Sequence, residues 1–442
     1  MESVRVVVTG LGAVSPLGLS VEAMWAGLEA GRSGIGPIRA FDPTGLPCRF
    51  AGEVPEYRIQ SYVPRSHRKA VKLMCRYIEL AVIAAQEAVS SSGLVTKGID
   101  PEKINVDPTR MAITLGAGMI SCDMVELAPA VAASVKDGKF DIRRWGHLGL
   151  EQVTPVWLLK YLPNMLACHI GIIHDIQGPS NSITCAEASG TLAIGEAAQV
   201  VARGASDIAL AGGAEAKVNP FIMVRQCLLR RVADDAGQAP ETVCRPFDAG
   251  ATGTVFGEGA GVLVLENLDH ARQRGAAIAG EIVGIGQSHS LSTVYDRLEQ
   301  DGKGLQIAIE KALADAEIRP ADLDLIIPHG PGVPSDDRAE TRAIEAALGA
   351  ATEEVLVWPT KSMLSTTGAA SGPLDLIAAV RAMSTGIVPA AQNFTQAPDG
   401  CRLHIPTETQ KRQIRYALCC SYTHGGQTAA VVIKRFDEGA TA

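Results

Sequence analysis

Short apolar runs alternate with helical patterns along almost the whole chain, and that alternation limits the folds open to it. Runs at 4–10, 111–116, 181–184, 208–212 and 261–266 read as buried strands, and a second set follows at 279–284, 323–328, 414–419 and 428–434. Between them, apolar residues recur at helical spacing over 21–30, 77–90, 191–203, 304–316, 338–348 and 373–382. Strands that take turns with helices predict parallel βαβ units in an α/β protein. No Pro-, Gly- or Ser-rich linker divides the chain, and no short-period repeat is visible.

The side chains available agree with that reading. Of 442 residues 47% are hydrophobic but only 4% aromatic, so the core must be built from Ala, Val, Ile and Leu; with 45 glycines, this suits helices packed closely on buried strands. The formal net charge of −8 argues against nucleic acid as a partner, because no basic stripe is present to neutralise phosphates. Arg225, Arg230 and Arg231, beside Leu228 and Leu229, form one local basic cluster. It reads equally as a patch for an acidic partner or as solvated loop charge. The ten cysteines, Cys419 and Cys420 among them, show no metal-ligand spacing and read as free thiols in a reducing cytosol. No apolar run is long enough to cross a bilayer and no signal peptide precedes Val4, so a soluble, cytoplasmic protein without a membrane partner is expected.

One segment carries chemistry. Residues 178–190 read Gly-Pro-Ser-Asn-Ser-Ile-Thr-Cys-Ala-Glu-Ala-Ser-Gly, an apolar strand, a sharp turn and a helix that begins near Ser189. Small residues around one exposed side chain at a helix N-terminus are how α/β enzymes present a nucleophile. The helix dipole would activate a thiol placed there. This chain places Glu187 there instead.

The segment resembles the active-site stretch of the β-ketoacyl-acyl-carrier-protein synthases, the condensing enzymes of fatty acid and polyketide synthesis. Counted without a gap from Pro179, the family's cysteine falls on Glu187, with Ser189-Gly190 after it; Cys185 lies two residues early. The resemblance runs along nearly the whole chain. Its other carriers are 6–18, Met74-Cys75-Arg76-Tyr77, Pro163-Asn164-Met165, 211–215, Arg245-Pro246-Phe247-Asp248, 257–261, His329-Gly330, Lys361-Ser362-Met363 and Gly425-Gly426.

The resemblance implies the thiolase fold, five layers αβαβα built from two similar halves, here 1–265 and 266–442. It implies a dimer with one sheet continuing across the interface, and a site at the junction of the halves. It also implies a thiol, two histidines, a supporting lysine and two threonines that hold a phosphopantetheine arm. His329 and Lys361 fall on the first histidine and the lysine, with Asp375 as acidic partner. Thr366 falls on the second histidine, Pro331 and Val333 on the two threonines, and His424 on the phenylalanine gate. No cofactor or resident metal is called for.

A carboxylate has no comparable covalent route for holding an acyl thioester, and its charge would repel a malonyl carboxylate. Loss of one member of a catalytic set costs orders of magnitude in rate. Three readings follow. The chain is a condensation-deficient, chain-length-factor-like partner of an active ketosynthase, as homodimer or heterodimer, in a pathway on acyl carrier protein. Or Glu187, His329 and His424 form a repurposed acid–base set acting on carrier-bound thioesters, for example by decarboxylation, a set that could take a metal. Or condensation persists through Cys185. The turn 116–118, Glu258 and His169, His174 and His289 read as structural.

Overall fold

The computed structural model describes residues 4–119, 122–292 and 298–437. Ten strands make one mixed sheet: β1 (Val6–Val14), β2 (Met111–Ala117), β3 (Ser180–Ile183), β4 (Ile208–Ala216), β5 (Glu258–Asn267), β6 (Gly280–His289), β7 (Leu325–Ile327), β8 (Leu356–Val357), β9 (Tyr416–Tyr422) and β10 (Gln427–Lys434). The order across the sheet is β8-β7-β9-β10-β6-β1-β5-β4-β2-β3. Nine of these strands lie on the nine apolar runs; β8, two residues long, is the addition.

The expectation of parallel pairing is corrected. Within each half only two neighbouring pairs are parallel, β4/β2 and β2/β3 in the first, β9/β7 and β7/β8 in the second. The pairs β1/β5, β5/β4, β6/β10 and β10/β9 are antiparallel, as is the β1/β6 seam between the halves. Two-sided burial makes a strand apolar without fixing the direction of its neighbour.

The halves repeat one plan. Each takes its strands in the spatial order first-fifth-fourth-second-third. Each carries a register shift in its first strand, at Val8/Gly10 and at Ile282/Gly284. Each packs a helix on that strand through a glycine: α2 (Arg76–Ser91) on β1 and α6 (Lys303–Asp315) on β6. A Cβ at Gly12 would lie 1.9 Å from the Ala84 carbonyl oxygen, and one at Gly286 1.8 Å from that of Ala308.

Side-chain alternation then builds the layers. Ala209, Ala211, Leu263 and Leu265 face a central core with Leu325, Ile327, Ala417 and Cys419. That core is filled by α4 (Ser189–Ala202) and α8 (Ser371–Thr385), with α1 (Val21–Glu29) at its flank. Ile208, Leu210, Val262 and Val264 point the other way, onto α2 and α3 (Met165–His174). Ile326, Leu418, Cys420 and Val432 point onto α6 and α7 (Pro334–Leu348). Helix, sheet, helix, sheet, helix are the five layers of the thiolase fold.

Candidate active site

The C-terminal ends of the parallel strands converge where α/β sheets place their ligands. After β3 the chain makes the sharp turn read from the sequence. Ala186 adopts φ +46°, a left-handed conformation that L-residues hold only under constraint. The Cys185 N–H donates to Ser189 Oγ at 2.7 Å, and Ser189 Oγ donates to the Ala117 carbonyl at 3.1 Å, fixing the turn to the end of β2. Glu187 then stands one turn before α4, but the side chain is buried, at 2% exposure, rather than exposed as the pattern suggested.

The reason is a cation on β4's extension. Lys217 Nζ lies 3.2 Å from Glu187 Oε1 and 3.1 Å from Glu215 Oε1, all three side chains buried. Glu215 also accepts the N–H groups of Met119 at 3.3 Å and Ala369 at 2.8 Å, and Lys217 Nζ sits 5.6 Å from the centre of the Phe256 ring. Burial works against charge on Glu187, yet Lys217 foremost, and then His424, Arg231 and His329, hold its carboxyl well below the usual carboxylate range. Burial likewise works against charge on Lys217, but the two carboxylates raise its pKa. Ala216 and Val218 line a separate cleft of about 710 Å³, while Lys217 between them turns to Glu187.

His329 follows β7. Its N–H and that of Gly330 each donate to Glu340 at 2.8 Å, and its ring meets Tyr422 edge-on at 4.6 Å. Burial, aided by Lys361, pushes the imidazole down to about 3, so it is neutral, and its Nδ1 has no hydrogen-bond partner among the described residues. Lys361, after β8, is paired with Asp375 and donates to the Pro328 carbonyl at 3.3 Å. Thr366 is close by in sequence, but its hydroxyl is engaged with that of Thr254 at 2.6 Å. Pro331 and Val333 are buried in the loop that leads into α7, and neither offers a hydroxyl. His424, after β9, is half-buried, its pKa lowered by burial, and its Nδ1 lacks a partner among the described residues. Glu187 acts electrostatically on both histidines.

Cys185 is half-buried, and burial raises its pKa, the opposite of an activated thiol. Of the basic cluster, Arg225, on α5 (Pro220–Leu228), and Arg230 are exposed, but Arg231 is buried and bound to Asp336 at 2.6 Å, which corrects its reading as surface charge. Glu258 binds Arg76 and the Val54 N–H, and His174 Nδ1 lies 2.7 Å from Thr96 Oγ1. Among the described residues no group of three His, Cys, Asp or Glu could hold a metal ion, and no helix is long and apolar enough to cross a membrane. Sequence reasoning missed Lys217. Its signal was the spacing Glu215-x-Lys217 at the end of an apolar strand, which puts both side chains on one face.

A five-layer α/β scaffold with a strand–turn–helix elbow facing a histidine and a lysine from its second half defines a protein of the condensing-enzyme type. The chain belongs to the beta-ketoacyl synthase family: the model of that family's N-terminal domain matches residues 3–271 and that of its C-terminal domain residues 279–395. It is 32% identical over 440 residues to 3-oxoacyl-[acyl-carrier-protein] synthase 2 of Vibrio harveyi, covering 99% of this chain and 100% of that one. Among solved structures it is similar to a beta-ketoacyl synthase from Burkholderia phymatum STM815, with TM-score 0.85 and 27% identity over 98% of this chain and 100% of that one. It is also similar to the ishigamide ketosynthase/chain length factor, with TM-score 0.84 and 28% identity over 99% of this chain and 100% of that one.

Proposed function

We propose that the chain is a condensation-deficient member of its family, a chain-length-factor-like partner of an active ketosynthase in carrier-protein-linked fatty acid or polyketide synthesis. The observation that carries this is the Glu187–Lys217 pair at 3.2 Å. An anion locked to a buried ammonium is neither a nucleophile for a thioester nor an effective proton acceptor at neutral pH. On this reading Glu187 stands where relatives carry cysteine and Thr366 where they carry the second histidine. Pro331 and Val333 leave the pantetheine arm without its hydroxyl contacts, and His424 fills the gate. The repurposed acid–base set has less support, because Glu187 is held ionised and His329 neutral.

The halves 1–265 and 266–442 then divide the site, Glu187 and Lys217 from the first, His329, Lys361 and His424 from the second. An acidic carrier protein is supported by Arg58, Arg65, Arg68, Lys69 and Lys72, all exposed and none in an ion pair among the described residues, on a chain of net charge −8. A dimer partner is supported by β3, the last strand of the sheet, whose Ser180 and Asn181 are exposed. Co-expression with an active ketosynthase of the same source tests the proposal. A mixed dimer whose product length depends on this chain is expected. Homodimers only, indifferent to that partner, would count decisively against it.

A further inference from the structure

We infer that Lys217, at the end of β4, is the positioning residue of this site, the group that pins Glu187 as a fixed anion. The inference rests on the reading that Glu187 occupies the nucleophile's place, and it names the residue that holds the carboxylate there.

Two carboxylates share one ammonium, and they depend on it unequally. Glu215 keeps two backbone donors, Met119 and Ala369, whatever Lys217 does. Among the described residues Glu187 has Lys217 alone on Oε1, while its Oε2 is buried without a hydrogen-bond partner. Arg231, His329 and His424 act on Glu187 through space, but Arg231 is already bonded to Asp336. A buried acceptor that loses its only donor bears the full desolvation penalty.

The space around the lysine is cut to its shape. A Cβ at Gly368 would fall 2.5 Å from Lys217 Cε and 1.9 Å from Glu215 Oε2, and one at Gly118 would fall 1.8 Å from Glu215 Cδ. Both glycines lie on loops of the site, one after β2 and one leading into α8. The ammonium therefore joins the elbow, the β2 loop and the α8 approach through one contact set. No other cation touches Glu187 among the described residues.

The test is the protonation of Glu187 in the full-length protein labelled with ¹³C at glutamate carboxyls, with Glu187→Gln to assign the signal. In the native protein that signal should remain a carboxylate down to the lowest pH at which the chain stays folded. In Lys217→Met the proton affinity of Glu187 should rise by about a hundred-fold or more, and Lys217→Arg should bring it back toward native. A folded Lys217→Met protein with an unchanged Glu187 titration overturns the inference, as does Lys217→Arg behaving like Lys217→Met.

If Lys217→Met does not fold, Lys217→Met/Glu187→Gln should recover folding; failure of that double variant, where Glu187→Gln alone folds, overturns it too. Failure of the proposed function reads differently. Condensation by the native protein alone would remove the function and leave these titrations as stated.

Discussion

Arg231 donates from Nη2 to Asp336 Oδ2 at 2.6 Å across 105 positions of sequence, with both side chains almost wholly buried. Cutting one partner of a buried pair leaves an uncompensated charge, at a cost of about 3–5 kcal/mol. Arg231→Leu is therefore expected to lose stability of that order in urea unfolding. Arg225→Ala, at an exposed neighbour, should stay within about 0.5 kcal/mol of native. Arg231→Leu/Asp336→Leu should regain much of the loss. Equal stability of the two single variants would mean the pair contributes nothing.

Two buried groups should give opposite pH slopes. The unfolded His329 takes a proton below about pH 6.5, whereas the folded one refuses it until about 3. Its contribution is complete above 6.5 and is lost as pH falls toward 3. Burial raises Glu340 from 4.5 to about 7, so its contribution is complete below 4.5 and is lost as pH rises through 7. His329→Asn removes the first slope only. The stability difference between native and variant should then shift steadily against the native protein as pH falls from 6.5. A difference constant across pH, in guanidinium titrations at half-unit steps, would refute the assignment.

Ser365 has φ 60° and ψ 177°, a region held almost only by glycine. Strain of this kind costs about 1–3 kcal/mol, and glycine returns about 0.5–1 kcal/mol through the freedom of the unfolded chain. Ser365→Gly should therefore stabilise by about 1 kcal/mol, seen as a higher melting temperature, while Ser365→Ala, which keeps its Cβ, should not. A lower melting temperature for the glycine variant would show that the hydroxyl's packing between Gly52 and Gly257 outweighs the strain.

Cys185 should stay unacylated. Burial raises its pKa, and its neighbour Ser189 bonds the Cys185 backbone N–H rather than its sulfur. Peptide mass spectrometry after incubation with acyl-carrier protein is expected to find a free thiol. A thioester there would restore condensation as the function.

Legibility in the sequence followed range. Nine strands could be read because each is a local apolar run, whereas β8, at Leu356–Val357, is too short to stand out. Strand direction could not, because Val262 is apolar whether its neighbour runs with it or against it. Glu187, His329 and Lys361 stand out in the sequence through motifs fixed in register. Lys217 was missed because its meaning lies in a contact with a turn thirty positions earlier. Arg231 was misplaced among surface charges because Asp336, which explains it, is far away in the chain.

The shared plan of the halves places Glu187 after the third strand of one and Lys361 after the third strand of the other. Lys217 and His424 likewise follow the fourth strand of each. The site is thus furnished from matching addresses in two halves that share one strand order. A side chain at one address can therefore change while its counterpart in the other half keeps its own partner, as Lys361 keeps Asp375.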